Sequence, residues 1–146
     1  MYDIYRVAAC VPEVSVANPK INKEKILEKI NEAYEYGATI IAVPELAVTA
    51  YTCQDLFFHS ELIEQSNKAI YEILSSTGGR REILIVGAPV IIDSRLYNGA
   101  FVMMNMKLLG ISIKTYIPNH NEFYEKRWFS SAADLGCKYV NFSELG

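Results

Sequence analysis

Two residues of this chain have both the chemistry and the setting for catalysis. Glu45 follows the β-branched run Ala38–Val43 and Pro44. Lys114 closes a second apolar run, Leu108–Ile113. A glutamate at the mouth of a sheet, where open α/β folds place their ligands, can act as a general base. Burial there would raise its pKa by disfavouring the carboxylate, as a base working near neutrality needs. A fixed ammonium at a strand end can stabilise a developing oxyanion. The same pattern also fits a solvated strand-end carboxylate and a lysine that snorkels to water. Residue type and position alone leave both readings open.

A base and an ammonium also need a nucleophile. The cysteines are Cys10, Cys53 and Cys137. Cys10 lies inside an apolar run and reads as a small core residue. The set is odd in number and widely spaced, so it gives no disulfide framework and no Cys-x-x-Cys metal pair. Such usage fits a reducing cytoplasm.

The elements that would position Glu45 and Lys114 can be read from hydrophobic periodicity. Tyr5 to Val11 predicts a buried strand. Asn18-Pro19 predicts an N-cap followed by proline at the first helical position. Ile26, Leu27, Ile30, Ala33 and Tyr34 recur at helical spacing, and Gly37 ends that helix as a C′ residue. Ala38 to Val43 predicts a second strand, completing a βαβ unit with neighbouring parallel strands. Leu62 to Leu74 predicts a second amphipathic helix, broken near Ser75–Gly79. Ile83 to Ile92, interrupted by Gly87 and Pro89, predicts a third strand. Tyr97 to Met104 and Leu108 to Lys114 predict a fourth and fifth. Short turns at 93–95 and 105–107 make these last three antiparallel neighbours. The expected architecture is α/β with a mixed sheet. Tyr139–Phe142 reads as one more strand, which would leave an open edge.

Bulk properties exclude several classes. The 146 residues fit one domain, and 51% are hydrophobic, enough for a core. A net charge of −3 without a basic cluster argues against nucleic acid. Arg80-Arg81, beside Gly78-Gly79, reads as a solvated loop. No apolar run approaches the ~18 residues of a membrane span, and residues 1–6 do not look like a signal peptide. No Gly-x-Gly-x-x-Gly or Walker-type loop is present, so nucleotide binding by this segment is not expected.

Two blocks carry a family resemblance. The first is Val43-Pro44-Glu45-Leu46 followed by Tyr51-Thr52-Cys53-Gln54-Asp55-Leu56-Phe57. The second is Lys114-Thr115-Tyr116-Ile117-Pro118-Asn119 followed by Glu122–Phe129. In this order, with Glu45 and Lys114 69 residues apart, they resemble the catalytic blocks of the nitrilase (carbon-nitrogen hydrolase) superfamily. The extension after the first block is similar to the glutamine amidohydrolase domain at the N-terminus of glutamine-dependent NAD synthetases. The resemblance covers nearly the whole chain and implies a nitrilase-like α-β-β-α sandwich, incomplete here.

The resemblance further implies roles. Glu45 would be the general base, Lys114 would hold the oxyanion, and Glu125 would orient the lysine. Tyr51 would line a glutamine pocket. His120 stands where the family usually has tyrosine; it can still donate a hydrogen bond and stack. No His or Cys at ligand spacing makes His120 a metal ligand. No cofactor is implied for this segment. ATP and Mg would belong to a separate synthetase domain that uses the ammonia to amidate deamido-NAD. The implied partners are glutamine, the remainder of the same protein and further copies of it.

The family's nucleophilic cysteine follows a later strand, in a Glu-x-Cys-Glu-Asp-like setting. Neither Cys53 nor Cys137 sits in such a setting, so the nucleophile is expected beyond Gly146. Residues 1–146 would then be the N-terminal part of a glutaminase domain, inactive alone. A stand-alone amidase, a non-catalytic assembly or regulatory module, and an unrelated ligand-binding α/β domain are the alternatives. A Ser-Gly-Gly-x-Asp-Ser loop further along the gene would single out the synthetase.

Overall fold

The first helix is defined at both ends by local chemistry. In a computed structural model that describes residues 4–136, α1 spans Pro19–Glu35. The Asn18 side chain accepts a hydrogen bond from the Ile21 N–H at 3.2 Å, and Pro19 opens the helix. Gly37 adopts φ +72°, the left-handed conformation that ends helices. Asn22, Ile26, Ile30 and Ala33 form its buried stripe. The second helix, α2, spans Ser60–Ser76 and buries Leu62, Ile63, Ser66, Ala69, Ile70, Ile73 and Leu74. It thus begins two residues before the apolar periodicity does.

Five strands form one mixed sheet in sequence order: β1 (Val7–Ala9), β2 (Ile40–Ala42), β3 (Ile83–Ile92), β4 (Arg95–Met104) and β5 (Lys107–Ile113). The first three are parallel neighbours, and β3, β4 and β5 form an antiparallel meander. Asp93-Ser94 and Asn105-Met106 turn the two hairpins, all four residues at positive φ. Two-residue hairpin loops favour that conformation because it matches strand twist.

Alternation along β3 and β4 divides the sheet into two unlike faces. Leu84, Val86, Ala88 and Val90 pair with Met103, Phe101, Gly99 and Tyr97. These side chains join Ile26, Ile30, Ala69, Ile70 and Ile73 of the helices in the main core. On the other face lie Ile85, Gly87 and Pro89, paired with Val102, Ala100 and Asn98.

Three expectations need correction. Tyr5 to Val11 is not a buried strand: only Val7–Ala9 is extended in the sheet, and Val7 is 67% exposed. The cause is position, since β1 pairs only with β2 among the described residues. Gly87 and Pro89 do not interrupt β3. The Ile85 and Gly87 carbonyls accept bonds from Val43 and Val48 on the β2 side. By alternation the Pro89 nitrogen points the same way, past the end of β2, where a missing N–H breaks no ladder. Arg80 is not simply solvated. Its guanidinium lies 3.8 Å from the centre of the Tyr34 ring and donates to Asn31 Oδ1 at 3.1 Å. The expected strand at Tyr139–Phe142 lies outside the described residues.

Val7, Ile91 and Leu109 are exposed apolar residues on this sheet. Residues 1–146 prepared alone are therefore expected to bind a hydrophobic dye and self-associate at high concentration. A clean monomer without dye fluorescence would contradict this.

Candidate active site

The route from β2 to Glu45 is a tight turn that crosses over β3. The Ala47 N–H bonds Pro44 O at 3.3 Å, and the Thr49 N–H bonds Leu46 O at 3.1 Å. The crossing works because residue 87 is glycine. A Cβ there would lie 2.4 Å from Pro44 O, 2.6 Å from Leu46 N and 2.8 Å from Glu45 Cα, all backbone atoms. Leu46 sits at φ +51° and Ala50 at φ +68°. Such non-glycine conformations cost ~1–3 kcal/mol each and persist only when the surroundings enforce them. For Leu46 the surroundings are a second core, in which it is fully buried with Cys53, Phe57, Leu62 and Phe129.

That second core joins the two sequence blocks. Phe57 meets Phe129 edge-on, with ring centroids 4.9 Å apart. Arg127 grips Asp55 through Nε–Oδ1 at 2.6 Å and Nη2–Oδ2 at 2.7 Å. Trp128 Nε1 donates to the same carboxylate at 2.9 Å. These donors hold the Asp55 pKa well below the usual carboxylate range, first through Arg127 and then Trp128. Segment 118–132 is closed on itself by Glu125 N to Pro118 O at 3.1 Å, and it returns to the sheet through Ser130 N to Leu96 O at 2.9 Å and Ala132 N to Lys114 O at 3.0 Å.

The result is a cluster built from distant parts of the chain. Lys114 Nζ donates to Glu45 Oε1 at 2.7 Å and to Glu125 Oε1 and Oε2 at 3.2 and 3.0 Å. Tyr51 Oη donates to Glu125 Oε1 at 2.5 Å. Glu125 is 2% exposed, Lys114 26% and Glu45 44%. The expected burial of Glu45 is therefore not found; nearly half its side chain faces an open groove. Desolvation alone would lower the Lys114 pKa, but hydrogen bonds to Glu45 and Glu125 outweigh it and the net shift is upward. Stability from these pairs is thus fully present below the ordinary lysine pKa and is lost only as pH rises through the raised value. Burial, then the bond to Glu125, pushes the Tyr51 hydroxyl well above its ordinary range. It remains a donor at physiological pH.

The groove, about 350 Å³, lies on the sheet face away from the helices and is lined by Glu45, Gly87, Asn98, Ala100, Ser112 and Lys114, among others. The arrangement supplies a carboxylate base and an ammonium side by side, with a buried carboxylate behind the ammonium. His120 is not part of these hydrogen bonds; it is exposed and meets the Phe123 ring edge-on at 6.2 Å.

Neither described cysteine reaches the cluster. Cys10 Sγ faces the Lys29 carbonyl at 3.6 Å. Cys53 is buried in the second core, its thiol against the carbonyls of Thr49 and Ala50 at 3.0 and 3.3 Å. Burial is the main cause that raises both thiol pKa values, which keeps them protonated and inert. Cys137 lies outside the described residues.

Sequence reasoning missed two residues of this site. Gly87 read as a strand interruption, whereas it is the space the Glu45 turn needs. Asn98 drew no notice, yet its Nδ2 donates to Glu45 Oε1. The available signal was an asparagine inside an otherwise apolar strand, where that residue is depleted.

The carbon-nitrogen hydrolase family model matches residues 6–145. The chain belongs to the carbon-nitrogen hydrolase family. Among curated relatives, the glutamine-dependent NAD(+) synthetase of Mycobacterium leprae is 29% identical over 129 residues, covering 88% of this chain and 19% of that protein. Among solved structures, a glutamine-dependent NAD(+) synthetase from Cytophaga hutchinsonii superposes with a TM-score of 0.81 at 28% identity, over 87% of this chain and 22% of that one. An amidase from Nesterenkonia sp. shares the fold, with a TM-score of 0.73 at 18% identity, over 88% of this chain and 48% of the amidase. The chain thus spans about a fifth of the length of the synthetases it matches. The fold is α/β, with the nitrilase superfamily's arrangement of mixed sheet and helices.

Gly87→Ala tests the crossing. The Gly87→Ala protein is expected to lose about 1–3 kcal/mol of stability by overpacking, as read by thermal unfolding. An unchanged melting temperature would mean that the Glu45 turn is not packed against β3.

Proposed function

We propose that this chain supplies the base, the ammonium and the orienting carboxylate of a glutamine-hydrolysing site. The ammonia released would serve ATP-dependent synthesis of NAD from deamido-NAD, in a synthetase domain of the intact protein that uses ATP and Mg. The observation that carries the reading is the meeting of Glu45 and Glu125 on the Lys114 ammonium at 2.7–3.2 Å, with Glu45 and Lys114 lining one groove. Similarity to proteins named glutamine-dependent NAD(+) synthetases, over 88% of this chain in one case, supports the choice of substrate.

The mechanism follows from the side chains. A cysteine thiol, from outside the described residues, gives its proton to Glu45 and its sulfur attacks the carboxamide carbon of glutamine. The carbonyl π electrons move onto oxygen, and Lys114 stabilises the resulting charge. Collapse breaks the C–N bond, and the proton held by Glu45 goes to the leaving amine, releasing ammonia. Water, deprotonated by Glu45, then attacks the thioester and yields glutamate and the free thiol. Glu125 keeps Lys114 charged and aimed, and Tyr51 holds Glu125. His120 is proposed at the rim of the glutamine pocket. The intact protein is proposed to act as a homo-oligomer in the reducing cytoplasm.

Reading the gene past the codon for Gly146 is the first test. The frame is expected to reach a strand followed by a cysteine, and later a Ser-Gly-Gly-x-Asp-Ser phosphate loop. In the intact protein, Glu45→Gln should lower kcat for glutamine hydrolysis by ~10²–10⁴-fold, the contribution of a general base. Residues 1–146 alone should release no ammonia. Near-normal hydrolysis by the Glu45→Gln protein, or Glu45-dependent ammonia release by residues 1–146 alone, would falsify the reading.

A further inference from the structure

Asn98 touches both Glu45 and Lys114 from one position. Its side-chain Nδ2 donates to Glu45 Oε1, and its main-chain carbonyl accepts the Lys114 N–H at 2.9 Å. It is 4% exposed on β4, beside the groove. Only the NH2 end of an amide can face a carboxylate oxygen, so the orientation of the amide is fixed by chemistry.

Lys114 Nζ donates to the same Glu45 oxygen, Oε1. Two donors therefore converge on one oxygen of the presumptive base. A carboxylate held this way cannot rotate freely, and it offers its other oxygen to a third group. The burial of Asn98 makes the restraint stiff, because an amide that swung away would leave polar atoms unpaired among apolar neighbours.

We propose that Asn98 is the positioning residue for Glu45, fixing Oε2 as the atom that takes the nucleophile's proton. It also sets the spacing between base and ammonium, because the same residue pins the backbone of Lys114. Asn98 itself touches no reacting atom. The inference rests on the reading of Glu45 as the base.

Three variants of the intact protein, assayed for ammonia release from glutamine, test it. Asn98→Leu keeps nearly the same volume without a donor or a buried charge. Asn98→Asp keeps the shape but replaces the donor with a carboxyl group. Glu45→Gln reports on the base itself. Misplacing a reacting group by about 1 Å costs ~10²-fold, so both Asn98 variants should lower kcat by about 10- to 100-fold, with KM within about twofold. A residue that merely fills space would leave the Asn98→Leu protein with normal kcat. That outcome, with the Glu45→Gln protein inactive, overturns the role of Asn98 and spares the base. An active Glu45→Gln protein removes both. If Asn98→Asp does not fold, Asn98→Leu decides alone. If Asn98→Leu does not fold either, a soluble Asn98→Ser protein takes its place: its shorter hydroxyl should not restore the contact, and a normal kcat would overturn the proposal.

Discussion

One ammonium shared by two carboxyl groups organises the site. Lys114 stands between Glu45, which faces the groove, and Glu125, which is buried. The two partners do different work because their surroundings differ. Glu125 is enclosed and accepts from Tyr51 as well as Lys114, so it is a fixed anchor for the charge. Glu45 is half open and can exchange its contacts with an incoming group.

The remaining structure brings these groups together against the connectivity of the chain. Glu45 leaves the parallel part of the sheet, whereas Lys114 ends the antiparallel part. β3 belongs to both parts, and the crossing of the Glu45 turn over Gly87 brings the first block onto the meander's face. The second core then ties block 51–58 to block 125–129 through Phe57 and Phe129, and Asp55 repeats the tie at the surface with Arg127 and Trp128. The surface pair, being exposed and screened by water, adds little stability as an isolated contact. Its geometry suits a register device better than a source of stability.

Most of the fold was legible because local signals agreed with global needs. The Asn18-Pro19 start, the Gly37 stop and the apolar runs Ile83–Ile92 and Tyr97–Met104 each predicted an element that the structure contains. What was not legible depended on distance. Val7 is apolar, but nothing in its own run states that β1 lies at the edge of the sheet among the described residues. Arg80 looked solvated because the tyrosine beneath it is on another element. Glu45 and Lys114 stood out as strand-end residues, and the resemblance of two blocks paired them; periodicity alone could not. Asn98 and Gly87 escaped for the same reason, since each matters through a backbone or carboxylate that sequence places far away.

The two faces of the sheet explain why the chemistry sits where it does. The helix-facing side is filled by Val86, Val90, Phe101 and Tyr97, all essentially excluded from solvent. A polar cluster there would be desolvated from every side and would need each hydrogen bond satisfied within the core. The opposite face carries small residues, Gly87, Ala100 and Ser112, and these leave room for a groove. Glu125 and Asn98 are the buried polar members of the cluster, and each is fully engaged in holding a more exposed partner. The packed helix face thus gives rigidity to strands whose other side stays open to a substrate. The Glu45–Lys114 pair is held in place because it borrows that rigidity at two strand ends, not because its own loops are stiff.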